Sequence, residues 1–184
     1  MPAIVAFGDS LTAGHGAGAE HPYPEILQQN LNRLGFHYHV INAGVSGDTT
    51  GSALARIDTI LAMNPAYVIL ELGGNDGLRG LPLETTRANL EEMIIMLRHP
   101  GRTIVLAGMT LPPNYGRNYI SAFELIYKDL AAKYKLPLIP FLLQGVGGSP
   151  KLMQVDGIHP NAEGNRIVAD NVLHVIEPLL AGKQ

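Results

Sequence analysis

Two segments far apart in the chain carry residue types that could together perform acyl transfer. Ser10 follows the apolar run Ile4–Phe7, and a serine at a helix entrance lies near backbone N–H groups and a favourable helix dipole. Asp156 and His159 are three residues apart, so in a helical turn they would lie on one side, within reach of each other. A carboxylate on one imidazole nitrogen leaves the other nitrogen available as a base. Ser10 is therefore a candidate nucleophile, although an isolated Gly-Asp-Ser more often caps a helix.

Two glycine-containing turns could supply hydrogen-bond donors. Gly47 has no side chain to block close approach, so its backbone N–H could face a ligand oxygen. Asn75 follows two glycines after the third apolar run, and its amide could form one arm of an oxyanion hole. Either sequence would also suit an ordinary turn. The neighbouring acids Asp9 and Asp76 are expected to hydrogen-bond loop backbone and hold the shape of the site.

The elements that must position these residues alternate regularly along the chain. Five apolar runs read as strands: Ala3–Phe7, Tyr38–Asn42, Tyr67–Leu72, Thr103–Met109 and Leu136–Leu142. The predicted helices are Tyr23–Leu34, Thr50–Met63, Leu83–Arg98, Tyr119–Tyr134 and Asn161–Leu180. Strict alternation with apolar strands predicts a five-stranded parallel sheet covered on both faces, a three-layer α/β/α fold in one domain over residues 1–184. Because the carboxyl ends of parallel strands meet at one edge, all the candidate residues should converge there.

Composition limits the classes of function. With 46% hydrophobic and 16% charged residues the chain is globular, and a net charge of −3 argues against nucleic acid as a partner. There are no cysteines, and the histidines show no metal-ligand spacing, although His15 and His21 could rim a cleft. No apolar run approaches the roughly 18 residues of a membrane span, and Asp9 comes too early for a signal peptide. We expect a soluble protein, cytoplasmic as the sequence stands, or periplasmic or secreted if a leader was removed.

Two predicted loops carry apolar side chains where loops are normally polar. Gly73–Pro82 and Thr110–Asn118 both follow strands at the predicted carboxyl edge and are rich in glycine and proline. They could form an apolar substrate-binding wall or could simply pack onto the sheet. The candidate wall residues in or next to these loops are Leu78, Leu81, Met109, Leu111, Pro112, Pro113 and Tyr115.

Taken together, these motifs resemble a known family. Gly8–Leu11, Gly47, Gly74–Asp76 and Asp156-x-x-His159 are similar to the four signature blocks of the SGNH (GDSL) hydrolases, in order and at similar separations. The resemblance runs from about residue 3 to residue 180. Three stretches further resemble the bacterial thioesterase/lysophospholipase/arylesterase subgroup: Ser46–Thr49, Glu71–Gly80 and Leu111–Gly116.

The resemblance implies a flavodoxin-like SGNH hydrolase fold and a role for each matching residue. Ser10 would be the nucleophile, His159 the general base and then acid, and Asp156 the residue that orients His159. The oxyanion hole would comprise the backbone N–H groups of Ser10 and Gly47 and the side chain of Asn75. The family uses neither cofactor nor metal.

Two further assignments follow from the same resemblance. Gly44 also falls in the second block, so it remains a weaker substrate-binding candidate beside Gly47. The Gly73–Pro82 segment would border the acyl site, as the corresponding segment does in this subgroup.

The sequence therefore predicts a serine esterase that cleaves carboxylic esters, and thioesters, of short to medium acyl chains. One alternative is a carbohydrate O-deacetylase on the same scaffold; it would need aromatic platforms, but the chain has no tryptophan. The other is a non-catalytic flavodoxin-like binding domain, in which Ser10 would not react with covalent probes. The expected partner is a small ester or thioester, and oligomeric state is left open.

Overall fold

Five parallel strands form one sheet at the centre of the protein. The computed structural model describes residues 1–19 and 21–182. The strands are β1 (Ala3–Gly8), β2 (His39–Gly44), β3 (Tyr67–Glu71), β4 (Thr103–Ala107) and β5 (Leu138–Ile139). Their order across the sheet is β2-β1-β3-β4-β5, and every neighbouring pair is parallel. The predicted α/β fold is confirmed, with β1 and β3 in the interior of the sheet.

Helices connect the strands and cover the sheet. They are α1 (Ser10–Ala13), α2 (Tyr23–Arg33), α3 (Thr50–Ala55), α4 (Ile57–Ala62), α5 (Gly74–Leu78), α6 (Leu83–Leu97), α7 (Arg117–Tyr134) and α8 (Ala162–Ala181). Helix α2 packs against α8, whereas α6 packs against both α3 and α7. Among the described helices, none is long and apolar enough to cross a membrane.

The core explains why the strands read as continuous apolar runs. Ile4–Phe7 of β1 and all of β3 are buried, because a parallel strand covered on both faces has no solvent side. Helix α6 buries one stripe of residues at the three- and four-residue spacing of a single helix face. The stripe consists of Thr86, Leu90, Met93, Ile94 and Leu97.

Two predicted elements differ from the observed ones. The single helix expected over Thr50–Met63 is broken at Arg56, whose backbone leaves the helical region (φ −110°, ψ 13°). The break lies where the Arg56 guanidinium turns inward and donates to Gly8 O and Ala43 O. Strand β5 has two residues rather than the seven predicted, because prolines flank it on both sides and cannot donate to the ladder.

The two long loops are more ordered than predicted. Gly73–Pro82 contains the short helix α5, and Thr110–Asn118 contains a 3₁₀ turn at Pro113–Tyr115. Both follow the carboxyl ends of strands, where the site was expected. The predicted starts of two helices are confirmed, since Thr49 caps α3 and Asn161 caps α8 through their side chains.

Candidate active site

Ser10 is the first residue of α1, directly after the carboxyl end of β1. Its neighbour Asp9 is the N-cap, because the Asp9 carboxylate accepts a hydrogen bond from Leu11 N at 2.9 Å. The alternative interpretation of Ser10 as the helix cap is therefore wrong. With the cap supplied by Asp9, the Ser10 hydroxyl is available to the cleft.

Ser10, His159 and Asp156 form a continuous chain of hydrogen bonds. His159 Nε2 lies 2.9 Å from Ser10 Oγ, and His159 Nδ1 lies 2.6 Å from Asp156 Oδ2. When Nδ1–H donates to the carboxylate, Nε2 is left to accept the hydroxyl proton. The expected helical turn is not present: the segment is a tight turn before α8, in which Asp156 Oδ1 accepts from Ile158 N and His159 N. The acid thus fixes both the imidazole and the backbone that carries it.

These hydrogen bonds also determine the charge on Asp156. Its partial burial raises the pKa of the carboxyl, but the bonds from the His159 side chain and from two backbone N–H groups outweigh that effect and lower the pKa to about 2. Asp156 is therefore ionised at neutral pH. An ionised Asp156 favours a proton on Nδ1 of His159, which is the form in which Nε2 can act as a base.

Asn75 and Gly47 lie on the adjoining turns. Asn75 is in α5, and its Nδ2 donates to Asp48 O at 2.8 Å and to Asp9 Oδ2 at 3.3 Å. Gly47 has φ +88°, a conformation that favours glycine, and its carbonyl accepts from Arg79 Nη2 at 3.1 Å. The two turns are thereby tied to each other and to the turn that carries Ser10.

The expected structural role of the two neighbouring acids is confirmed. Asp9 caps α1, and buried Asp76 accepts hydrogen bonds from Thr50 N at 2.8 Å and Thr50 Oγ1 at 2.6 Å. Thr86 Oγ1 donates to the same Asp76 carboxylate at 3.2 Å. The Asp9 carboxylate therefore holds the start of α1 after β1, and the Asp76 carboxylate joins the segment after β3 to the helices α3 and α6.

An apolar cavity of about 390 Å³ opens beside Ser10 and Asn75. Five of the candidate wall residues line it: Leu78, Met109, Leu111, Pro112 and Pro113. Part of the wall was missed by the sequence analysis and comes from the chain after β5: Phe141, Leu143, Met153 and Ile158. Phe141 belongs to the run that was predicted to be a strand, and the other three residues follow that run. Their apolar side chains were the feature of the sequence that could have indicated a place in the wall.

Three candidate substrate-binding residues do not line this cavity. Gly44 packs so closely on α1 that a Cβ would lie 2.2 Å from Ala13 N, and its own N–H donates to Asn42 Oδ1. The Tyr115 hydroxyl donates to Leu78 O, so Tyr115 supports the wall from behind. Leu81 is partly exposed after α5. Substrate contact by these three residues stays a prediction, and the lining of this cavity does not support it.

One further histidine lies next to the candidate base, and a second cleft lies apart from the site. The ring of His15 lies 4.6 Å from that of His159, so one of the histidines considered as a rim residue is next to the candidate base. A larger, open cleft of about 610 Å³ includes Arg98, Arg102 and Lys135 at the amino end of β4, away from Ser10. Within residues 1–19 and 21–182, no cluster of three or more His, Asp or Glu side chains could hold a metal ion.

Comparisons with known proteins agree with this geometry. The model of the GDSL-like lipase/acylhydrolase family matches residues 6–167. Esterase TesA of Pseudomonas aeruginosa is 43% identical over 96% of this chain and 89% of its own length. Thioesterase 1/protease 1/lysophospholipase L1 of Escherichia coli K12 is 37% identical over 96% of this chain and 84% of its own length. A crystal structure of TesA superposes with a TM-score of 0.92 at 42% identity, covering 97% of this chain and 99% of that one.

Proposed function

The chain belongs to the GDSL-like lipase/acylhydrolase family and hydrolyses ester bonds, and we propose that it does so through an acyl-enzyme on Ser10. The observation that carries the proposal is the hydrogen-bonded chain from Ser10 Oγ through His159 to Asp156, at 2.9 Å and 2.6 Å. A serine becomes a nucleophile when a base accepts its proton and a third group orients that base. Both conditions have a candidate residue here, with His159 as the base and Asp156 as the group that orients it, beside an apolar cavity.

The reaction follows from these positions. Ser10 Oγ gives its proton to His159 Nε2 and attacks the carbonyl carbon of the ester. The negative charge that develops on the carbonyl oxygen is stabilised by the N–H groups of Ser10 and Gly47 and by the Asn75 amide. The Asn75 N–H that forms the longer bond, to Asp9 Oδ2 at 3.3 Å, is then shared with this oxygen. His159 then protonates the leaving alkoxide or thiolate. In the second half-reaction His159 takes a proton from water, which attacks the acyl-enzyme and releases the acid and free Ser10.

The cavity suggests the class of acyl group. Its wall is made of aliphatic, thioether and aromatic side chains, including Met109, Leu111, Phe141 and Leu143, and such a surface favours a hydrocarbon chain over a bare acetyl group. We propose esters of short to medium acyl chains as substrates. Thioesters are included because a thiolate is a good leaving group and a relative is named for thioester hydrolysis.

The candidate catalytic residues span the chain from Ser10 to His159 and meet at one edge of a single sheet. We therefore propose that the chain forms one catalytic domain.

Covalent labelling tests the nucleophile. Wild-type protein would be treated with a fluorophosphonate probe, followed by intact-mass measurement and peptide mapping. We expect one adduct, on the peptide containing Ser10. Ser10→Ala should abolish it, whereas Ser121→Ala, which removes an exposed serine on α7, should not. Labelling that persists in Ser10→Ala, or no labelling of folded wild-type protein, would contradict the proposal.

An ester series tests the acyl group. The same leaving group would be attached to chains from acetyl to dodecanoyl, and kcat/KM measured for each. We expect kcat/KM to rise from acetyl into the medium chains, because each buried methylene contributes about 0.8 kcal/mol. A maximum at acetyl would contradict the assignment and favour the deacetylase alternative.

A further inference from the structure

Two buried acids lie side by side beneath the turn that carries Ser10. Asp9 is 2% exposed and Glu71 is 0% exposed. Glu71 is the last residue of β3 and is in register with Gly8 of β1, so its side chain reaches the β1–α1 turn. The proposed reaction uses neither carboxyl directly. Burying two ionised carboxylates side by side costs free energy, and this cost falls when one of them is protonated.

The hydrogen bonds of Glu71 indicate that its carboxyl group is protonated. Glu71 Oε2 accepts from Thr12 Oγ1 at 2.8 Å and from Asp9 N at 3.2 Å. Glu71 Oε1 is buried, and no donor of the described residues reaches it. An ionised carboxylate with one oxygen left without a donor loses hydration and gains nothing in return. A protonated carboxyl has a donor of its own, and the adjacent Asp9 carboxylate is an acceptor for it.

The groups around the pair do not supply a compensating positive charge. Within the described part of the chain neither acid forms an ion pair with Lys or Arg, and Arg56 is paired with Asp48 instead. The other titratable groups that interact with the pair are Tyr23 of α2, Tyr127 of α7, Asp48 and His159. Of these only His159 can become positive.

Burial and mutual repulsion therefore keep one proton on the pair. Desolvation raises the pKa of Asp9 to about 6, and desolvation together with the charge of Asp9 raises the pKa of Glu71 well above its usual range. Two buried carboxylates in contact cannot both be ionised at neutral pH. Glu71 is the more deeply buried of the two and has the oxygen without a donor, so the proton resides mainly on Glu71.

The ionised partner contacts two parts of the candidate catalytic machinery. Asp9 Oδ1 accepts from Leu11 N at 2.9 Å and so holds the first turn of the helix that begins at Ser10. Asp9 Oδ2 accepts from Asn75 Nδ2 at 3.3 Å. The site is also closely fitted, since a Cβ on Gly8 would lie 2.5 Å from Glu71 Oε2 and 2.0 Å from Thr12 Oγ1.

We infer that Asp9 and Glu71 share one proton in the active protein, with Glu71 as the donor, and that Glu71 is thereby a positioning residue for Ser10 and Asn75. Glu71 acts through Asp9: its O–H holds the Asp9 carboxylate in the orientation that caps α1 and accepts from the Asn75 amide. The positioning role, though not the shared proton, rests on the proposed function. A kinetic test of the positioning role and a spectroscopic test of the shared proton can therefore be evaluated separately.

The kinetic test compares two substitutions of the same residue. Glu71→Gln retains an acceptor oxygen and supplies an N–H donor in place of the O–H, whereas Glu71→Leu has neither. We expect Glu71→Leu to lower kcat by about 10–100-fold, as groups that orient reacting residues typically do, with KM changed less than about threefold. Glu71→Gln should recover most of the lost kcat. Wild-type protein labelled at Ser10 is the reference, and its failure to label would overturn the proposed function rather than the shared proton.

The second test does not depend on activity. At pH about 7, where exposed carboxyls are ionised, isotope-edited infrared spectroscopy should show the carbonyl stretch of a protonated carboxylic acid in wild-type protein, and Glu71→Gln should lack that band. No such band in folded wild-type protein would overturn the inference, and so would Glu71→Gln as impaired as Glu71→Leu at every pH. If Glu71→Leu does not fold, Glu71→Gln decides the kinetic test: kcat close to that of wild type supports the inference, and a loss of about tenfold or more contradicts it.

Discussion

The two sides of the catalytic cleft are held in different ways. The nucleophile side comprises the turns that carry Ser10, Gly47 and Asn75, and its supporting acids Asp9 and Asp76 are only 2% and 1% exposed. The base side comprises residues 155–159. There the Asp156 side chain is 40% exposed, and the neighbouring Val155 presents its apolar side chain to solvent.

The hydrogen bonds differ in the same way. On the nucleophile side they join residues far apart in sequence, such as Asp76 with Thr50 and Asn75 with Asp48. On the base side, the hydrogen bonds that Asp156 forms with described residues all lie within its own turn. Donors that must meet a developing charge benefit from a rigid, buried frame. A base that must also activate water can lie at the surface, provided that its partner acid orients it.

The largest effect is expected from removing the Ser10 hydroxyl, which belongs to the nucleophile side and is hydrogen-bonded to His159 of the base side. Ser10→Ala should lower kcat by roughly 10³–10⁶-fold, because the acyl-enzyme cannot form. Steady-state kinetics on a good ester substrate measures the loss, and circular dichroism checks that the fold is intact. Activity within tenfold of wild type would refute the role of Ser10.

The second prediction tests whether the nucleophile side supplies a catalytic hydrogen-bond donor. Asn75→Ala should lower kcat by about 10²–10³-fold, the size of effect seen when one oxyanion donor is removed. Asn89→Ala is a matched control, because Asn89 donates to Thr50 Oγ1 in the adjoining network but does not line the cavity; it should change kcat little. If Asn75→Ala raised only KM, Asn75 would be a binding residue instead.

Stability should reflect the difference between the two sides directly. Asp76→Asn places an amide N–H₂ where Thr50 and Thr86 donate, and leaving buried donors unpaired costs about 1–3 kcal/mol. Asp156→Asn at pH 7 should cost less than about 1 kcal/mol, since the pair that it weakens is partly exposed. Urea unfolding measures both. A larger loss for Asp156→Asn would contradict the comparison.

The pH dependence of that smaller effect has a definite sign. The pKa of Asp156 is about 2 in the folded protein, below its value of about 3.9 in an unfolded chain. The ionised carboxyl therefore stabilises the fold above pH about 3.9, and this contribution is lost as pH falls through about 2. The difference in unfolding free energy between wild type and Asp156→Asn should shrink over that range. A difference that grew on acidification would show that Asp156 is not held as a carboxylate.

The smallest effect concerns the exposed edge of the base side. Val155 is fully exposed next to Asp156, so Val155→Ser should change the free energy of unfolding by no more than about 0.5 kcal/mol. Thermal unfolding and kcat on a small, soluble ester provide the measurements. A marked loss of kcat would mean that Val155 contacts the substrate, and the division between the two sides would need revision.

Much of this architecture could be predicted because it depends on local patterns. Alternating apolar runs and amphipathic helices indicate a doubly wound parallel sheet, and in such a sheet the strand ends meet at one edge. That rule alone predicted that Ser10 and Asn75 would lie near the Asp156–His159 pair, although Asp156 follows Ser10 by 146 positions in the sequence. Residue types at turns could be interpreted in the same way, as with the caps Thr49 and Asn161.

What the sequence by itself determined, then, is the order of the elements and the chemistry available at their ends. Only the tertiary structure decided which apolar side chains form the cavity, replacing Leu81 and Tyr115 with residues such as Phe141 and Leu143. It also decided that Glu71, the last residue of an ordinary-looking strand, lies against Asp9. Such contacts depend on strand register and on packing between segments distant in sequence, and no local periodicity reports either of them.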